Sequence, residues 1–262
     1  MPLYVEESGA ADVPSIVFIH AVSVSGWMWK QQIEALKTEF HCLNVDLPGH
    51  GQSNRVKWVS LEDSADQIAE IIRTRAHDGR ANLCALSLGS YVGLTLLSRH
   101  PDLVMRAVLS GVSAAPLPNL WVYSLLGPVM ALFMKMDRFI VKNAKGLNVP
   151  QDQLADYVTV ARMTSRQAFI KASVDAARFT LSPNLATINV PTLIVAGENE
   201  HPLVKAAVKT IADLMPNDEG AIVPGVGHGW SAENPTLFTA MLRAWFSDQG
   251  VAEGLCKLPV TA

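Results

Sequence analysis

Cysteine and charge are both scarce in this chain of 262 residues, and long basic runs are absent. There are three cysteines, 17% of the residues are charged, and the net charge at pH 7 is −3. Without a basic run the chain has no electrostatic footprint for nucleic acid, and a small molecule is the expected binding partner. The cysteines are odd in number, and Cys42 and Cys84 fall in apolar runs. This usage predicts buried thiols and a reducing compartment, the cytoplasm.

Signals for a zinc site, a secretion signal and a membrane span are missing as well. No cysteine spacing resembles a zinc site, so no metal is expected. The N-terminus lacks the charged start and apolar core of a signal peptide and is typical of an edge strand. The apolar segment Leu120 to Lys135 contains Gly127-Pro128 and is shorter than the roughly 20 residues that a bilayer requires. We therefore expect no stable insertion into a membrane.

Hydrophobic residues make up 49% of the sequence, and they occur as buried-strand runs that alternate with helical patterns. The runs are Ser15 to His20, His41 to Val45, Ala81 to Leu86, Met105 to Ser110, Asn189 to Ala196 and Ala221 to Val223. Continuous apolar runs are typical of strands buried on both faces. The alternation predicts an α/β fold with a doubly wound, mostly parallel sheet and helices on both faces.

One region, from about Ala115 to Ser182, contains no strand-like run. Its helical patterns cover Leu120 to Lys135, Gln151 to Met163 and a segment that the capping pair Thr164 and Gln167 opens and that reaches Phe179. We predict an all-helical insertion. The expected division is a core at 1–114 and 186–250, the insertion at 115–185, and a weakly ordered tail at 251–262.

The stretch around Ser87 carries the main chemical signal, because an apolar strand runs through this serine into an apolar helix. Small residues at Ala85 and Gly89 allow the sharp turn that exposes a serine hydroxyl. The following helix directs its free N–H groups, that of Leu88 in particular, at charge developing beside Ser87. The alternative interpretation is a buried strand followed by a helix whose N-cap is serine.

Five landmarks in chain order decide between these two interpretations. They are His20 at a strand end, the loop Asp46-Leu47-Pro48-Gly49-His50-Gly51, the Ser87 turn, Gly197-Glu198-Asn199-Glu200 and Gly227-His228-Gly229. Together they resemble the α/β-hydrolase superfamily over nearly the whole chain. The resemblance implies that superfamily's fold, with the insertion as its variable helical cap.

The resemblance also implies a catalytic triad in the order Ser87, Glu200, His228. A serine hydroxyl needs a base, and neutral imidazole serves at neutral pH. Glu200 sits where the family places the carboxylate that orients the imidazole, with Glu198 as a nearby competitor. Asp46 is implied to structure its loop.

The oxyanion hole is expected to combine the N–H groups of Val22 and Leu88. His20 resembles the strand-end histidine that supports this loop in the family. The chain departs from the family pattern at Ala21, where a glycine is usual, so it is not the triple-glycine variant.

These residues predict a serine hydrolase that cleaves a small, largely apolar carboxylic ester through an acyl-serine intermediate, without metal or organic cofactor. A lyase or carbon–carbon bond hydrolase on the same triad is one alternative, and a slow-turnover ligand-binding protein is another. Multiple-turnover release of product distinguishes an enzyme from a binding protein. The candidate substrate-binding residues are large apolar side chains: Trp27, Trp29, Trp121, Phe133 and Met134.

Overall fold

The centre of the molecule is an eight-stranded sheet. The computed structural model describes residues 1–118, 129 and 131–259. Within these residues, the strands are β1 (Val5–Ser8), β2 (Ser15–Ile19), β3 (His41–Val45), β4 (Ala81–Leu86), β5 (Val104–Ser110), β6 (Thr192–Gly197), β7 (Asp218–Val223) and β8 (Cys256–Lys257). The inner strands β2 to β7 are parallel, whereas β1 and β8 pair antiparallel at the two edges. The predicted fold class is confirmed.

The strand order β1-β3-β2-β4-β5-β6-β7-β8 determines where a site can form. After β2 the chain moves to β3 on one side and then crosses back to β4 on the other side of β2. Loops that follow β2 and β4 therefore diverge from one point at the carboxyl edge of the sheet. In open parallel sheets such a switch point leaves a crevice for ligands. His20 and Ser87 directly follow these two strands.

Helices connect the strands and cover both faces of the sheet. Those with described bounds are α1 (Lys30–Leu36), α2 (Leu61–Arg75), α3 (Leu88–Arg99), α4 (Asp137–Gly146), α5 (Leu154–Met163), α6 (Arg166–Arg178), α7 (Pro202–Ala212), α8 (Trp230–Glu233) and α9 (Pro235–Phe246). Three of them, α4 to α6, lie in the predicted insertion between β5 and β6. In the part of the chain that the structure describes, no helix has the length and apolar character needed to cross a bilayer.

The core consists of two apolar layers that the sheet separates. Successive residues of β2 alternate between them: Val17 and Ile19 pack in one layer, and Ile16 and Phe18 in the other. All four are fully buried. Because both faces of the strand are covered, its sequence is continuously apolar rather than alternating, as predicted.

Serine side chains cap helices α2 and α6, and the cap of α6 lies one residue from the predicted position. Ser60 caps α2, since its Oγ accepts a hydrogen bond from the Asp63 N–H at 3.1 Å. At α6 the cap is Ser165, which accepts from the Ala168 N–H at 3.0 Å, and not the predicted Thr164. Thr164 is fully buried, so its side chain is turned into the protein instead of toward the helix terminus.

Two further elements differ from the prediction. Helix α4 has no counterpart among the predicted helices, and most of the predicted helix Leu120 to Lys135 lies outside the described residues. The predicted tail contains β8, whose Cys256 pairs with Ile222 of β7. A strand of two residues is too short to produce a periodic pattern, which is why the sequence shows no sign of it.

Gly89 is where α3 approaches β2 most closely. A Cβ atom at this position would lie 2.2 Å from the backbone oxygen of Ile19 and 3.0 Å from that of His20. We expect Gly89→Ala to lower the free energy of unfolding by about 3 kcal/mol or more, because backbone cannot move aside as a side chain can. The check is urea denaturation against Gly146→Ala. Gly146 has no atom within 4 Å of the added methyl group, so that helical variant should be neutral or more stable by up to about 1 kcal/mol. Equal effects of the two substitutions would contradict the close-approach argument.

Candidate active site

Ser87 occupies the turn between β4 and α3 in a strained backbone conformation. Its φ is 55° and its ψ is −115°, a backbone conformation that residues other than glycine rarely adopt. The conformation is held by the Ser87 N–H, which donates to the Ser110 carbonyl at 2.8 Å. Leu88 is the first residue of α3, so its N–H has no partner within the helix and lies at the positive end of the helix dipole.

His228 and Glu200 form a hydrogen-bonded pair. The His228 Nδ1 lies 2.7 Å from the Glu200 Oε1, and the Glu200 side chain is only 4% exposed. An ionised carboxylate can only accept, so Nδ1 carries the hydrogen and Nε2 keeps its lone pair. The loop before the imidazole is fixed in place because the Gly227 N–H donates to both carboxylate oxygens of Glu233, at 3.1 and 3.2 Å.

Gly111, directly after β5, leaves the space that this pair needs. Its φ is +70°, and a Cβ there would lie 2.9 Å from the Cε1 of His228 and 3.4 Å from the Oε1 of Glu200. A side chain at this position would therefore collide with the imidazole and strain the backbone. Gly111 allows the imidazole ring and the carboxylate to lie against the end of the sheet.

Ser110, the last residue of β5, connects the two halves of the site. Its carbonyl accepts hydrogen bonds from the Ser87 N–H and from the Ser90 Oγ, the latter at 2.7 Å. Its own hydroxyl accepts from the Trp230 indole N–H at 2.9 Å, two residues beyond His228. One residue thus fixes the serine turn and the segment that carries the imidazole relative to each other.

His20 shapes the loop that follows β2. Its Nε2 accepts a hydrogen bond from the Leu47 N–H at 2.9 Å, so the ring proton is on Nδ1 and is donated to the Ala21 carbonyl at 2.7 Å. Burial lowers the pKa of His20 to about 4, which keeps the ring neutral in this structural role. Of the loop residues, Ser23 has a positive φ of 62°, whereas Ala21 and Val22 do not.

These elements enclose a cavity of about 200 Å³. The loop after β2, Ser87 and His228 form one side of it, and residues from the 134–169 region form the other. The lining residues are Ala21, Val22, Ser23, Ser87, Met134, Phe139, Ile140, Asn143, Leu147, Tyr157, Ala161, Phe169 and His228. The strained Ser87 and the imidazole of His228 therefore open into one largely apolar space.

A family model described as "Alpha/beta hydrolase family" matches residues 16–241. The chain belongs to the alpha/beta hydrolase family. The match includes Ser87, Glu200 and His228 and extends over the helices between β5 and β6. The recognition made from the five landmarks is confirmed.

Individual members of the family resemble this hydrolase chain at lower identity. The chain is 24% identical to the pimeloyl-[acyl-carrier protein] methyl ester esterase of Nitrosomonas europaea, over 92% of this chain and 98% of that one. It is 25% identical to 3-oxoadipate enol-lactonase 1 of Acinetobacter baylyi, over 74% of each. The structure of MenH from S. aureus superposes with a TM-score of 0.79 at 22% identity, covering 95% of this chain and 98% of that one. The likeness to that structure shows the shared fold.

The predicted pocket residues do not all lie at the hydrolase cavity. Met134 lines it. Trp29 does not, because it is fully buried between Phe18 and Phe238 in the core. Trp27 lies behind the wall, with its ring edge-on to Tyr157. Among the other predicted pocket residues, Phe133 is 47% exposed and lies outside the lining, and Trp121 is beyond the described residues.

The two other acidic candidates have structural partners of their own. Glu198 is exposed and its Oε2 accepts from the Gly225 N–H at 2.9 Å, so it does not compete for His228. Asp46 accepts from the N–H groups of Gly26 and Gln52, each at 2.7 Å, the loop-structuring role that the resemblance implied. In the described part of the chain, His, Cys, Asp and Glu form no cluster suited to a metal ion.

Sequence reasoning missed Ser110 and Gly111 at the end of β5 and the polar pair Asn143 and Tyr157 in the cavity wall. A Ser-Gly step after a buried strand was a usable signal for the first two, because the carboxyl ends of parallel strands meet at one edge. No signal in the sequence pointed to the wall residues. Their position depends on which faces of α4 and α5 turn inward.

Buried ionisable groups make the stability of this hydrolase dependent on pH. Burial lowers the pKa of His20 to about 4 and that of His50 to about 3, from an ordinary 6.5. In the unfolded chain both bind protons below pH about 6.5, so the unfolded state gains protons first as the pH falls. We expect the free energy of unfolding to decrease from pH about 6.5 downward.

Asp218 acts in the opposite direction, because burial raises its pKa from 3.8 to about 8. The folded state then holds one proton more than the unfolded state between these values, and stability falls as the pH rises through that window. Above pH about 6.5 the contribution of the two histidines has ended, and the slope from Asp218 remains. Between pH 6.5 and 8 the free energy of unfolding of the wild type should therefore fall by about 1–2 kcal/mol, and this decrease should be absent in Asp218→Asn. Urea titrations of both proteins at several pH values provide the measurement, and parallel curves would contradict the assignment.

Proposed function

We propose that this hydrolase cleaves a small, largely apolar carboxylic ester through an acyl-serine intermediate, with Ser87 as nucleophile, His228 as base and Glu200 as the orienting acid. The observation that carries the proposal is the convergence of two features on one cavity. Ser87 is held in a strained turn, and the imidazole of His228 is bonded to a buried carboxylate. A purely structural serine needs neither.

In the proposed mechanism, the Nε2 of His228 takes the proton of the Ser87 hydroxyl as the Oγ attacks the ester carbonyl carbon. The N–H groups of Leu88 and Val22 donate to the oxyanion that forms. His228 then gives its proton to the leaving alcohol, and the acyl group remains on Ser87. A water molecule attacks this acyl-enzyme while His228 takes one of its protons. The bond from the acyl carbon to the Ser87 Oγ then breaks, His228 returns the proton to the Oγ, and the carboxylic acid is released. Glu200 stabilises the imidazolium in both steps.

The cavity wall supports the substrate class. Its described lining includes no Lys, Arg, Asp or Glu, and large apolar side chains from the 134–169 region face Ser87 across about 200 Å³. This volume is below that of sites for drug-sized ligands, which begin near 300 Å³. The relatives named as an esterase and an enol-lactonase also act on acyl compounds by their names. We propose that residues 115–185 form a helical cap that provides this wall.

The apolar wall predicts a dependence on acyl chain length. Each methylene that is buried against it should add about 0.8 kcal/mol, or nearly fourfold in kcat/KM. We expect kcat/KM to rise from acetate to butanoate esters of one alcohol, and esters with a terminal carboxylate to be poor substrates because no cation in the described lining pairs with it. Initial rates over such a series test this. A flat profile, or a maximum at the charged ester, would contradict the apolar pocket.

Labelling with a fluorophosphonate tests the nucleophile directly. The reagent should modify the wild-type protein at Ser87, identified by mass spectrometry of the peptide, and should not modify Ser87→Ala. Ser98→Ala is the matched control, since Ser98 lies on the same helix but bonds to Asn184 far along the surface. If the reagent labels Ser87 but unlabelled protein mixed with an ester releases a single burst of product without further turnover, the ligand-binding alternative is favoured.

A further inference from the structure

Two polar side chains stand out in the largely apolar wall of the cavity. Tyr157 of α5 and Asn143 of α4 both line the space that Ser87 and His228 share. Tyr157 is 1% exposed, and its ring is held by the edge-on ring of Trp27, with centroids 6.3 Å apart. The phenol is therefore a fixed feature of the cavity wall.

The hydrogen bond between them leaves a donor unused. The Asn143 Nδ2 donates to the Tyr157 Oη at 2.8 Å. Since the phenol oxygen accepts this bond, its own hydrogen points elsewhere, and no acceptor for it is found among residues 1–118, 129 and 131–259. With the amide turned over, the phenol would donate to Oδ1 and the amide N–H groups would be left over. In either arrangement two of the three N–H and O–H hydrogens of the pair have no acceptor among the described residues. In the arrangement that the structure shows, one of these two belongs to the buried phenol, where a missing acceptor is costly, whereas the amide of Asn143 is on an exposed side chain.

The surroundings determine which acceptor fits. Burial raises the pKa of Tyr157, so the phenol stays protonated and remains a donor. The described lining has no Lys or Arg that would neutralise a carboxylate brought beside it. An anion would thus lose its hydration without gaining a counter-charge, whereas a neutral carbonyl oxygen loses little and gains the hydrogen bond.

We propose that Tyr157 and Asn143 form a specificity subsite that binds a neutral carbonyl oxygen, such as a ketone, on the acyl chain of the substrate. This inference rests on the proposed function, because it places the second carbonyl on the acyl group that Ser87 would carry. The preferred substrate is then an acyl compound with an oxo group several carbons from the bond that is cleaved, in place of a plain fatty ester.

The test compares three p-nitrophenyl esters that differ at one carbon: hexanoate, 4-oxohexanoate and 5-oxohexanoate. The ratio of kcat/KM for each oxo ester to that for hexanoate is measured in the wild type and in Tyr157→Phe. When this ratio is compared between the two proteins, the intrinsic reactivity of the esters and any general loss of active protein cancel. For at least one oxo ester we expect the ratio to fall about 3- to 10-fold when the hydroxyl is removed.

Tyr91→Phe is the matched control. Tyr91 is also buried and its hydroxyl bonds to Ser113, at 2.9 Å, but it does not line the cavity. Its substitution should leave the ratios unchanged. Equal ratios in the wild type and Tyr157→Phe for both oxo esters would overturn the subsite. If the wild type hydrolyses none of the esters, the proposed function fails, and a binding measurement then tests the subsite by itself.

For that case, calorimetric titration of Ser87→Ala with ethyl hexanoate and the two ethyl oxohexanoates measures binding without turnover. The subsite requires tighter binding of one oxo ester, by about 3- to 10-fold, and loss of this preference in the Ser87→Ala, Tyr157→Phe protein. Binding that does not distinguish the oxo esters from hexanoate, or a preference that survives the loss of the phenol, would overturn it.

Discussion

Replacing Ser87 by alanine is expected to lower kcat by about 10³-fold or more on the best ester while leaving the protein folded. The substitution removes one hydroxyl and keeps the Cβ, so the strained turn and its hydrogen bond to the Ser110 carbonyl are retained. Without the Oγ no acyl-enzyme forms, and only binding and oxyanion stabilisation remain. Initial rates on the best ester, with thermal unfolding midpoints of both proteins, provide the measurement.

Ser98→Ala serves as the control for this loss as well, because it removes a hydroxyl from the same helix without touching the cavity. Its turnover should stay within about twofold of the wild type. If Ser87→Ala keeps near-wild-type turnover, the assignment of the nucleophile is wrong. If Ser87→Ala fails to fold, the strained turn depends on the hydroxyl. Ser87→Cys is then measured instead, and the expected readout is loss of fluorophosphonate labelling.

Replacing Glu200 by glutamine is expected to lower kcat by about 10²- to 10⁴-fold. The carboxylate accepts from the His228 Nδ1 at 2.7 Å and faces almost no solvent. An amide is neutral, and when its N–H donates to Nδ1 it places the ring hydrogen on Nε2, where the base needs a lone pair. Rates measured against a folded-state control by near-UV circular dichroism test this prediction.

Glu198→Gln is a closely matched comparison, since the two glutamates are two positions apart. Glu198 is exposed, and its side chain bonds only to the Gly225 N–H among the described residues, a contact that the carbonyl oxygen of glutamine can keep. We expect its kcat to change by less than about threefold. Equal and small losses in both variants would mean that another group orients the imidazole.

The core of the fold was predictable because parallel strands that are buried on both faces appear in the sequence as continuous apolar runs. Val17 and Ile19 serve one layer and Ile16 and Phe18 the other, so the run has no polar interruption. The positions of Ser87 and His228 followed from their places after such strands. Glu200 was assigned by resemblance, and the structure brings it to His228; its catalytic role stays a prediction.

The cavity wall was less predictable, because a large apolar side chain gives the same sequence pattern whether it packs in the core or lines a cavity. Trp29 lies between Phe18 and Phe238 in the core, while Phe139, which no pattern singled out, lines the cavity. The choice depends on the direction in which α4 and α5 lie across the sheet edge. That direction is set by contacts between segments far apart in the sequence.

Ser110 has a consequence for how the sequence of this protein can drift. Of the three hydrogen bonds that join Ser110 to residues 87, 90 and 230, two use its main-chain carbonyl, which every amino acid supplies, and these hold the Ser87 turn. The third joins the hydroxyl of Ser110 to the indole of Trp230. Loss of either partner alone would leave a buried polar group without its bond. Positions 110 and 230 are therefore expected to be replaced together in neutral drift, as a covarying pair, while the turn itself tolerates any residue at 110 that fits the space.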